Sequence, residues 1–244
     1  ILNNKIMGRN IIYLDSVDST NTYAKELATK GAEEGTVVIS EEQTSGRGRL
    51  GREWMSPKYK GIWMSIILRP DIEPMDVPQI TQIAAAAVSK ALRSLGIKAY
   101  IKWPNDIILN YKKVCGILTE MSGEINKVNY VIVGIGINVN IEEEEFPEEV
   151  KNIATSLKIE QGVSIERKKL AARILNNFEE LYKEIIMENS IKNSIEICRK
   201  YSILIDKEVK IINRGNETIA KAIGLSEDGK LIVKYKDGKI DEII

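Results

Sequence analysis

The chain has 244 residues, 43% of them hydrophobic, so it can form one large domain, or a large and a small one, with a sizeable core. Lysine plus arginine and aspartate plus glutamate each number 35, so the overall charge favours neither nucleic acid nor a membrane as partner. The absence of histidine excludes Ser-His-Asp and Cys-His mechanisms and a histidine-ligated zinc site.

Cysteine spacing and hydropathy predict the compartment. Cys115 and Cys198 lie far apart and form no C-x-x-C motif, which indicates two thiols in a reducing compartment. No apolar run approaches the roughly 20 residues of a membrane span, and no signal-peptide pattern opens the chain. We therefore expect a cytoplasmic protein without a membrane partner. The first residue, Ile1, indicates a processed chain or a fragment.

The first hundred residues predict strands and helices in alternation. Apolar, β-branched and aromatic runs predict strands at 10–16, 36–40 and 61–68. The "DSTN" sequence offers caps for a helix through Tyr23, Leu27 and Ala28, ended by Gly31 and Gly35. A second helix is predicted from the apolar spacing of Ile80, Ile83, Ala87, Ala91 and Leu95, and Gly96 ends it.

The next hundred residues predict four strands followed by two helices. The strands are expected at 99–103, 106–110, 114–121 and 128–140, with a turn at 111–113. Residues 141–153 are rich in glutamate and predict a mobile loop. Helical spacing then predicts helices at 164–188 and 191–201.

The sequence changes character after Tyr201. Short strands are predicted at 208–212, 218–225, 230–235 and 239–244, divided by turns at 213–216, 226–229 and 236–238. This pattern is typical of a small β-barrel built from hairpins. We place a domain boundary near Leu204, which separates a large domain of residues 1–203 from a small one of 204–244.

The stretch "TSGRGRLGREW" (44–54) matches the G-x-G-x-x-G dinucleotide fingerprint through Gly46, Gly48 and Gly51. That fingerprint requires a helix at the third glycine, whereas the following segment holds Pro57 and Gly61. We therefore set the dinucleotide interpretation aside. Three closely spaced arginines repel one another unless an anion lies among them, so the stretch predicts a polyanion site. The alternative is a solvated arginine loop.

Two further motifs carry polar residues at strand ends. "KWPNDI" (102–107) predicts a bend that aims Asn105 and Asp106 into a cleft, with a simple turn as the alternative. "GIGIN" (134–138) ends a strand that we expect to be central, and Asn138 is a candidate polar contact there. Glycines within a strand are also explained by tight packing alone. "DSTN" alone is explained by helix capping.

Taken in order, "STN", "QTSGRGRLGREW", "KWPNDI" with a following "KK", "GIGINVN" and "ATSL" resemble the biotin protein ligases. More closely, the chain resembles the ligase part of the bacterial biotin ligase and biotin-operon repressor, and this resemblance covers the chain from about Ile11 to its end. Lipoate ligases share the fold but lack the glycine-arginine run and K-W-P-N-D. The resemblance implies an α+β fold: a central mixed β-sheet with flanking helices, similar to class II aminoacyl-tRNA synthetases, plus a C-terminal SH3-like β-barrel.

The resemblance implies a reaction in two steps, with ATP and Mg²⁺ as the substrate complex and no metal ligands from the protein. The biotin carboxylate attacks the α-phosphate of ATP to give biotinyl-5'-AMP and pyrophosphate. A lysine of the biotin carboxyl carrier protein of acetyl-CoA carboxylase then displaces AMP. Such chemistry needs positioning and charge neutralisation rather than a protein nucleophile.

Site residues follow from the resemblance, motif by motif. The expected biotin-binding residues are Ser19, Thr20, Asn21, Gln43, Arg47, Gly48, Arg49 and Lys113. The expected nucleotide-binding residues are Arg47, Arg49, Arg52, Trp54 and Asn138. Catalysis is expected of Arg49, Lys113 and Asp106, with Asp106 orienting or deprotonating the acceptor lysine. Lys102 either reaches the phosphates or faces solvent, and the loop 141–153 is expected to bind the adenylate, with Phe146 as a candidate cover.

Partners and alternatives complete these expectations. The resemblance implies a homodimer formed through a sheet edge. It implies DNA binding only through a winged-helix domain upstream of these residues. The final barrel strand is expected to be cut short at "KIDEII". The alternative functions are a lipoate-protein ligase and a transcriptional repressor that uses biotinyl-5'-AMP as corepressor.

Overall fold

The computed structural model of the protein describes residues 2, 4–213 and 216–243. The helices are α1 (Thr20–Thr29), α2 (Val77–Arg93), α3 (Leu157–Gln161), α4 (Arg167–Glu188) and α5 (Lys192–Lys200). The strands are β1 (Ile11–Leu14), β2 (Val37–Ser40), β3 (Gly61–Leu68), β4 (Tyr100–Lys102), β5 (Asp106–Leu109), β6 (Lys112–Glu124), β7 (Lys127–Asn138), β8 (Glu208–Asn213), β9 (Asn216–Leu225), β10 (Leu231–Lys234) and β11 (Ile240–Ile243).

Strands β1 to β7 form one sheet in the order β1-β2-β3-β7-β6-β5-β4. Strands β1 and β2 run parallel and are joined across α1, whereas every other neighbouring pair is antiparallel. The sheet is therefore mixed, and β7 lies at its centre, as the sequence predicted. The antiparallel pairing of β2 with β3 across the glycine-arginine stretch leaves no crossover helix there, so the dinucleotide interpretation is rejected.

The two faces of this sheet have different chemistry. Alternate residues of β3 (Ile62, Met64, Ile66 and Leu68) pack with α2 and α4 in the main core. Each such buried side chain contributes roughly 1.5–3 kcal/mol of stability. On the opposite face, the small residues Ala24 and Ala28 of α1 pack against Val38, Ile67 and Ile132. Trp63 on this face packs with Ile141 and Phe146, and the candidate site lies between these two apolar clusters.

Strands β8 to β11 form a separate antiparallel sheet in the order β11-β10-β9-β8. All four predicted C-terminal strands are present. Two side chains of the larger unit hold this sheet: Trp103 Nε1 donates to the Gly229 carbonyl (2.8 Å) and Arg199 Nη2 donates to the Leu225 carbonyl (2.6 Å). The predicted turn at 213–216 lies partly outside the described residues.

Local departures from the prediction have local causes. The β5–β6 turn lies at Asn110 and Tyr111, which both adopt positive φ, rather than at 111–113. Helix α4 begins at Arg167, and a short unpredicted helix, α3, precedes it with Ser156 as its N-cap. In the acidic segment, Glu143–Glu145 form a capped 3₁₀ turn, and Phe146 is buried. The Phe146 side chain thus attaches this charged segment to the rest of the protein through apolar contacts.

Two sequence expectations concern the whole chain. Cys115 and Cys198 are free and buried, which agrees with the predicted pair of thiols. Among the helices that the structure describes, none is long and apolar enough to cross a membrane.

Candidate active site

A cavity lies on the α1 face of the large sheet, above β3, β6 and β7. Six segments form its walls: the start of α1, the glycine-arginine stretch with Gln43 just before it, β3, Asn105, β6 and β7. Nine residues predicted for the site line it: Ser19, Thr20, Asn21, Gln43, Arg47, Gly48, Arg49, Trp54 and Lys113. The fold thus brings "STN", the glycine-arginine stretch and Lys113, all predicted to bind biotin, to one cavity.

The first turn of α1 is capped by a residue from another segment. The Ser19 side chain makes no capping hydrogen bond, so the simple N-cap explanation of "DSTN" does not apply. Instead Gln43 Oε1 accepts from the Thr20 backbone N–H (2.9 Å) and from Thr20 Oγ1 (3.0 Å). Gln43 Nε2 in turn donates to Ser56 Oγ (2.8 Å). These contacts fix the orientation of the Gln43 amide in the cavity wall.

Asn21 is held by two residues that the sequence analysis missed. Ser65 Oγ donates to Asn21 Oδ1 (2.6 Å), and Asn21 Nδ2 donates to Glu120 Oε2 (2.8 Å). Ser65 and Glu120 lie on β3 and β6, on the face that carries the cavity. A single polar residue in an apolar strand such as "GIWMSIIL" was the available signal for Ser65. The side chain of Asn21 is thereby oriented before any ligand binds.

Glu120 also forms ion pairs with two cationic side chains at this end of the cavity. Its Oε1 atom lies 2.5 Å from Lys25 Nζ, and its Oε2 atom lies 4.0 Å from Arg47 Nη2. Burial raises the pKa of Glu120, but hydrogen bonds from Lys25 and Asn21 and the nearby cations hold it below its ordinary value. Arg47 also donates to Thr22 Oγ1 (2.9 Å). Arg47 is therefore attached to α1 and β6 at the base of its loop.

Glycines of β6 and β7 form the floor of the cavity. A Cβ atom at Gly134 would lie 2.3 Å from Asn21 Oδ1, and one at Gly136 would lie 2.5 Å from Trp54 Nε1. Tight packing thus explains the two glycines of "GIGIN". The side chains that pack against them, Asn21 and Trp54, line the cavity. The buried Trp54 Nε1 has no hydrogen-bond partner among the described residues. The absence of side chains lets the Trp54 ring lie directly on the strand.

Arg49 begins a tight turn in which the next two residues have a left-handed backbone conformation. Residues Arg49–Gly51 form a 3₁₀ turn in which Leu50 (φ 58°) and Gly51 (φ 74°) both adopt the left-handed conformation. Arg49 Nη1 donates to Asn105 Oδ1 (3.0 Å), and Asn105 Nδ2 donates to the Ile117 carbonyl (3.0 Å). Asn105, which the site prediction left out, therefore does more than form a turn.

Lys113 and Asp106 form an ion pair at the edge of the cavity. Lys113 Nζ lies 2.7 Å from Asp106 Oδ1 and 5.1 Å from the centre of the Trp54 ring. The two residues come from adjacent antiparallel strands, β6 and β5. Both side chains remain about a quarter exposed, which leaves them reachable by a ligand.

Five predicted or candidate residues do not line this cavity. Arg52 is exposed, and Lys102 is exposed at the end of β4. Asn138 is buried, and its Nδ2 atom donates to the Thr155 carbonyl (3.1 Å). Phe146 packs with Trp63 and Ile141, beside the partly buried Trp54. Asp106 also lies outside the cavity wall, although its partner Lys113 is part of it.

Known proteins resemble this chain over nearly its whole length. Residues 13–138 match the "Biotin/lipoate A/B protein ligase family", and residues 204–244 match the "Biotin protein ligase C terminal domain". The chain is 41% identical to the bifunctional ligase/repressor BirA of Bacillus spizizenii over 97% of its own length and 73% of that protein. It is 30% identical to the biotin--[acetyl-CoA-carboxylase] ligase of Mycobacterium tuberculosis, over 87% of this chain and 79% of that one.

Comparison with solved structures agrees with these sequence matches. The biotin protein ligase from Aquifex aeolicus, solved in complex with biotin and ATP, superimposes with a TM-score of 0.83 at 33% identity. The superposition covers 96% of this chain and 95% of that one. The mixed sheet, the small C-terminal sheet and the sequence matches agree with one another. The chain belongs to the biotin protein ligase family.

Proposed function

We propose that this protein is a biotin--[acetyl-CoA-carboxylase] ligase. It joins the biotin carboxylate to the α-phosphate of ATP, which arrives with its Mg²⁺, and releases pyrophosphate. The biotinyl-5'-AMP so formed then transfers its acyl group to a lysine amine of the biotin carboxyl carrier protein. An amide bond forms, the acyl–phosphate bond breaks, AMP leaves and the amine loses a proton.

The observation that carries this proposal is the convergence of cations and fixed polar groups in one cavity. Arg47 and Arg49 from the glycine-arginine stretch and Lys113 from β6 line it together with the oriented amides of Gln43 and Asn21. A carboxylate and a triphosphate repel each other, so bringing them together requires positive charge at the place where they meet. The amides supply directional contacts for a polar ring system such as the ureido group of biotin.

In the activation step, Lys113 and Arg49 act on the anions. The Lys113 ammonium pairs with the biotin carboxylate and afterwards with the adenylate phosphate. Arg49 presents a planar guanidinium that suits a phosphate or carboxylate through two parallel hydrogen bonds. Arg52, which is exposed, and Asn138, which is buried at the end of β7, complete the proposed nucleotide contacts once the glycine-arginine loop has closed. Trp54 offers an aromatic face for the adenine.

In the transfer step, Asp106 acts on the acceptor. Once an anionic substrate has bound the Lys113 ammonium, the Asp106 carboxylate can accept a hydrogen bond from the ammonium of the acceptor lysine. That contact orients the lysine amine and gives its proton a place to go. Ser19, Thr20 and Gly48 keep biotin in place during both steps.

The homodimer is also a proposal. The register of β7 supports it: residues 131–138 pair with β3, whereas 127–130 pair only with β6 and leave one edge of the strand open. An open edge can pair with the same segment of a second copy. Sedimentation of the protein with and without biotin and ATP measures the assembly.

The experiment that tests the proposed function is exchange of labelled pyrophosphate into ATP. Exchange that depends on biotin and not on lipoate, followed by labelling of one carrier lysine, is the expected result. Exchange driven by lipoate alone contradicts the proposal and favours a lipoate ligase. Labelling that persists when the acceptor lysine of the carrier is replaced by arginine contradicts the transfer step.

A further inference from the structure

A second cavity, which none of the site predictions includes, adjoins the first. It lies between the start of α2, the turn at Trp103–Asn105 and the β9–β10 hairpin of the small sheet, and its volume is about 320 Å³. Arg49, Asn105 and Ile117 line both cavities. The Arg49–Asn105 hydrogen bond thus lies at the boundary between the two cavities.

The walls of this second cavity combine apolar surface with an unsatisfied acceptor. Val77, Pro78, Trp103 and Pro104 provide the apolar surface. Gln82 is 3% exposed, and its Nε2 atom donates to the Pro104 carbonyl (3.1 Å), which leaves Oε1 without a partner among the described residues. A buried acceptor without a donor is costly, so Gln82 is suited to a ligand that brings an N–H or O–H group.

We propose that the second cavity binds the segment of the carrier protein that bears the acceptor lysine. This inference rests on the proposed function and gives the second substrate its place. A lysine has an aliphatic stem that fits apolar walls and an ammonium that carries three donors and no acceptor. The cavity supplies both the walls and the acceptor. Because the two cavities share Arg49, Asn105 and Ile117, a lysine in the second cavity lies beside Asn105, the chain neighbour of Asp106.

The β9–β10 hairpin gives the small sheet a part in this recognition. Its Asp228, Gly229 and Lys230 line the cavity, and Trp103 Nε1 donates to the Gly229 carbonyl (2.8 Å). Gly229 adopts positive φ (83°), and a Cβ atom there would lie 2.9 Å from Gln82 Cγ. The Asp228 carboxylate, 61% exposed, lies 3.5 Å from Lys230 Nζ, so the rim carries an ion pair whose carboxylate remains accessible to a cationic segment. The hairpin therefore closes one side of the cavity and places this ion pair at its rim.

Two substitutions test this assignment without touching the first cavity. Pro78→Trp fills the second cavity from an exposed position in the first turn of α2, and Asp228→Lys reverses the charge at its rim. We expect each to raise the KM for carrier protein about tenfold, a loss of binding that leaves kcat for the bound carrier nearly unchanged. Biotin-dependent pyrophosphate exchange should stay within about twofold of the unsubstituted protein, since it does not involve the carrier.

The matched control is Asp237→Lys, an Asp-Gly position in the turn between β10 and β11, which should leave the KM unchanged. Biotinyl hydroxamate formed when hydroxylamine replaces the carrier should also be unaffected in every variant. An unchanged KM for carrier in both Pro78→Trp and Asp228→Lys overturns the inference. Loss of pyrophosphate exchange in both overturns it too, because the cavity would then serve biotin or ATP. Failure of exchange in the unsubstituted protein contradicts the proposed function itself.

Discussion

Lys113 Nζ lies 2.7 Å from Asp106 Oδ1, so the two residues expected to act in different steps neutralise each other when no ligand is present. An anionic substrate that binds Lys113 competes directly with Asp106 for the same ammonium. In the proposed mechanism, the carboxylate becomes available for the acceptor amine only after the first substrates have bound. The ion pair would then set the order of the two proposed steps.

Lys113→Ala should slow adenylate formation by about 10²–10³-fold, the loss typical when one group that stabilises developing charge is removed. Biotin-dependent pyrophosphate exchange measures it. Lys112→Ala, the preceding residue on β6, is the matched control and should retain exchange because Lys112 does not line the cavity. Near-normal exchange in Lys113→Ala would remove Lys113 from the site.

Asp106→Asn should separate the two steps. An amide keeps the size of the side chain but cannot accept a proton, so transfer to the carrier should fall while pyrophosphate exchange remains measurable. Single-turnover transfer from preformed biotinyl-5'-AMP isolates the second step. An equal loss of exchange and transfer would show that Asp106 is needed for activation as well.

Arg49→Ala should let biotinyl-5'-AMP escape before transfer. The variant loses the guanidinium in the cavity and the hydrogen bond to Asn105 that holds the loop over it. Labelling of an unrelated bystander protein measures the released adenylate. Asn105→Ala keeps the guanidinium but removes its acceptor, together with the Asn105 donation to the Ile117 carbonyl, and should give a smaller increase of the same kind. Unchanged selectivity in Arg49→Ala would exclude a closing role for the loop.

Gly136→Ala should displace Trp54, since the new Cβ atom would lie 2.5 Å from its indole nitrogen. We expect a higher KM for ATP, altered tryptophan fluorescence and a loss of about 1–3 kcal/mol in the free energy of unfolding. Gly224→Ala in β9 is the control, because its nearest neighbour would be a side-chain carbon 3.9 Å away. Unaltered fluorescence in Gly136→Ala would contradict the packing described here.

Glu179 should make stability depend on pH. Burial raises its pKa, but Lys183 and the backbone N–H groups of Lys5, Met7 and Ile6 lower it from 4.5 to about 2. A depressed pKa stabilises the fold above about pH 4.5, and this stabilisation is lost as pH falls from 4.5 towards 2.

Glu179→Gln should therefore lower Tm at pH 7, by a loss of about 1–3 kcal/mol in unfolding free energy, and the difference from the unsubstituted protein should shrink below pH 4.5. Glu180→Gln alters the next residue, whose side chain is 63% exposed, and should have little effect at either pH. A Tm difference that is constant from pH 7 to pH 3 would contradict the role assigned to Glu179.

Much of the site could be predicted because its motifs are local. "STN", "GRGRLGREW" and "KWPNDI" each carry their chemistry within a few residues, and nine of the predicted side chains line one cavity. Their individual roles remain predictions. Ser65, Ser56, Glu120 and Asn105 were missed as site residues because their hydrogen-bond partners lie far away in the sequence, where no spacing rule applies.

The sequence by itself determined the strands and the main helices, since hydrophobic periodicity and turn residues act over short distances. Only the tertiary structure decided which face of the sheet carries the site. Strand order places β7 between β3 and β6, and this brings the glycines of β6 and β7 beneath Trp54 and Asn21. The interdomain cavity at Gln82 likewise exists only because a hairpin more than a hundred residues away packs against α2. Contacts of that kind depend on the packing of whole elements, which no local pattern encodes.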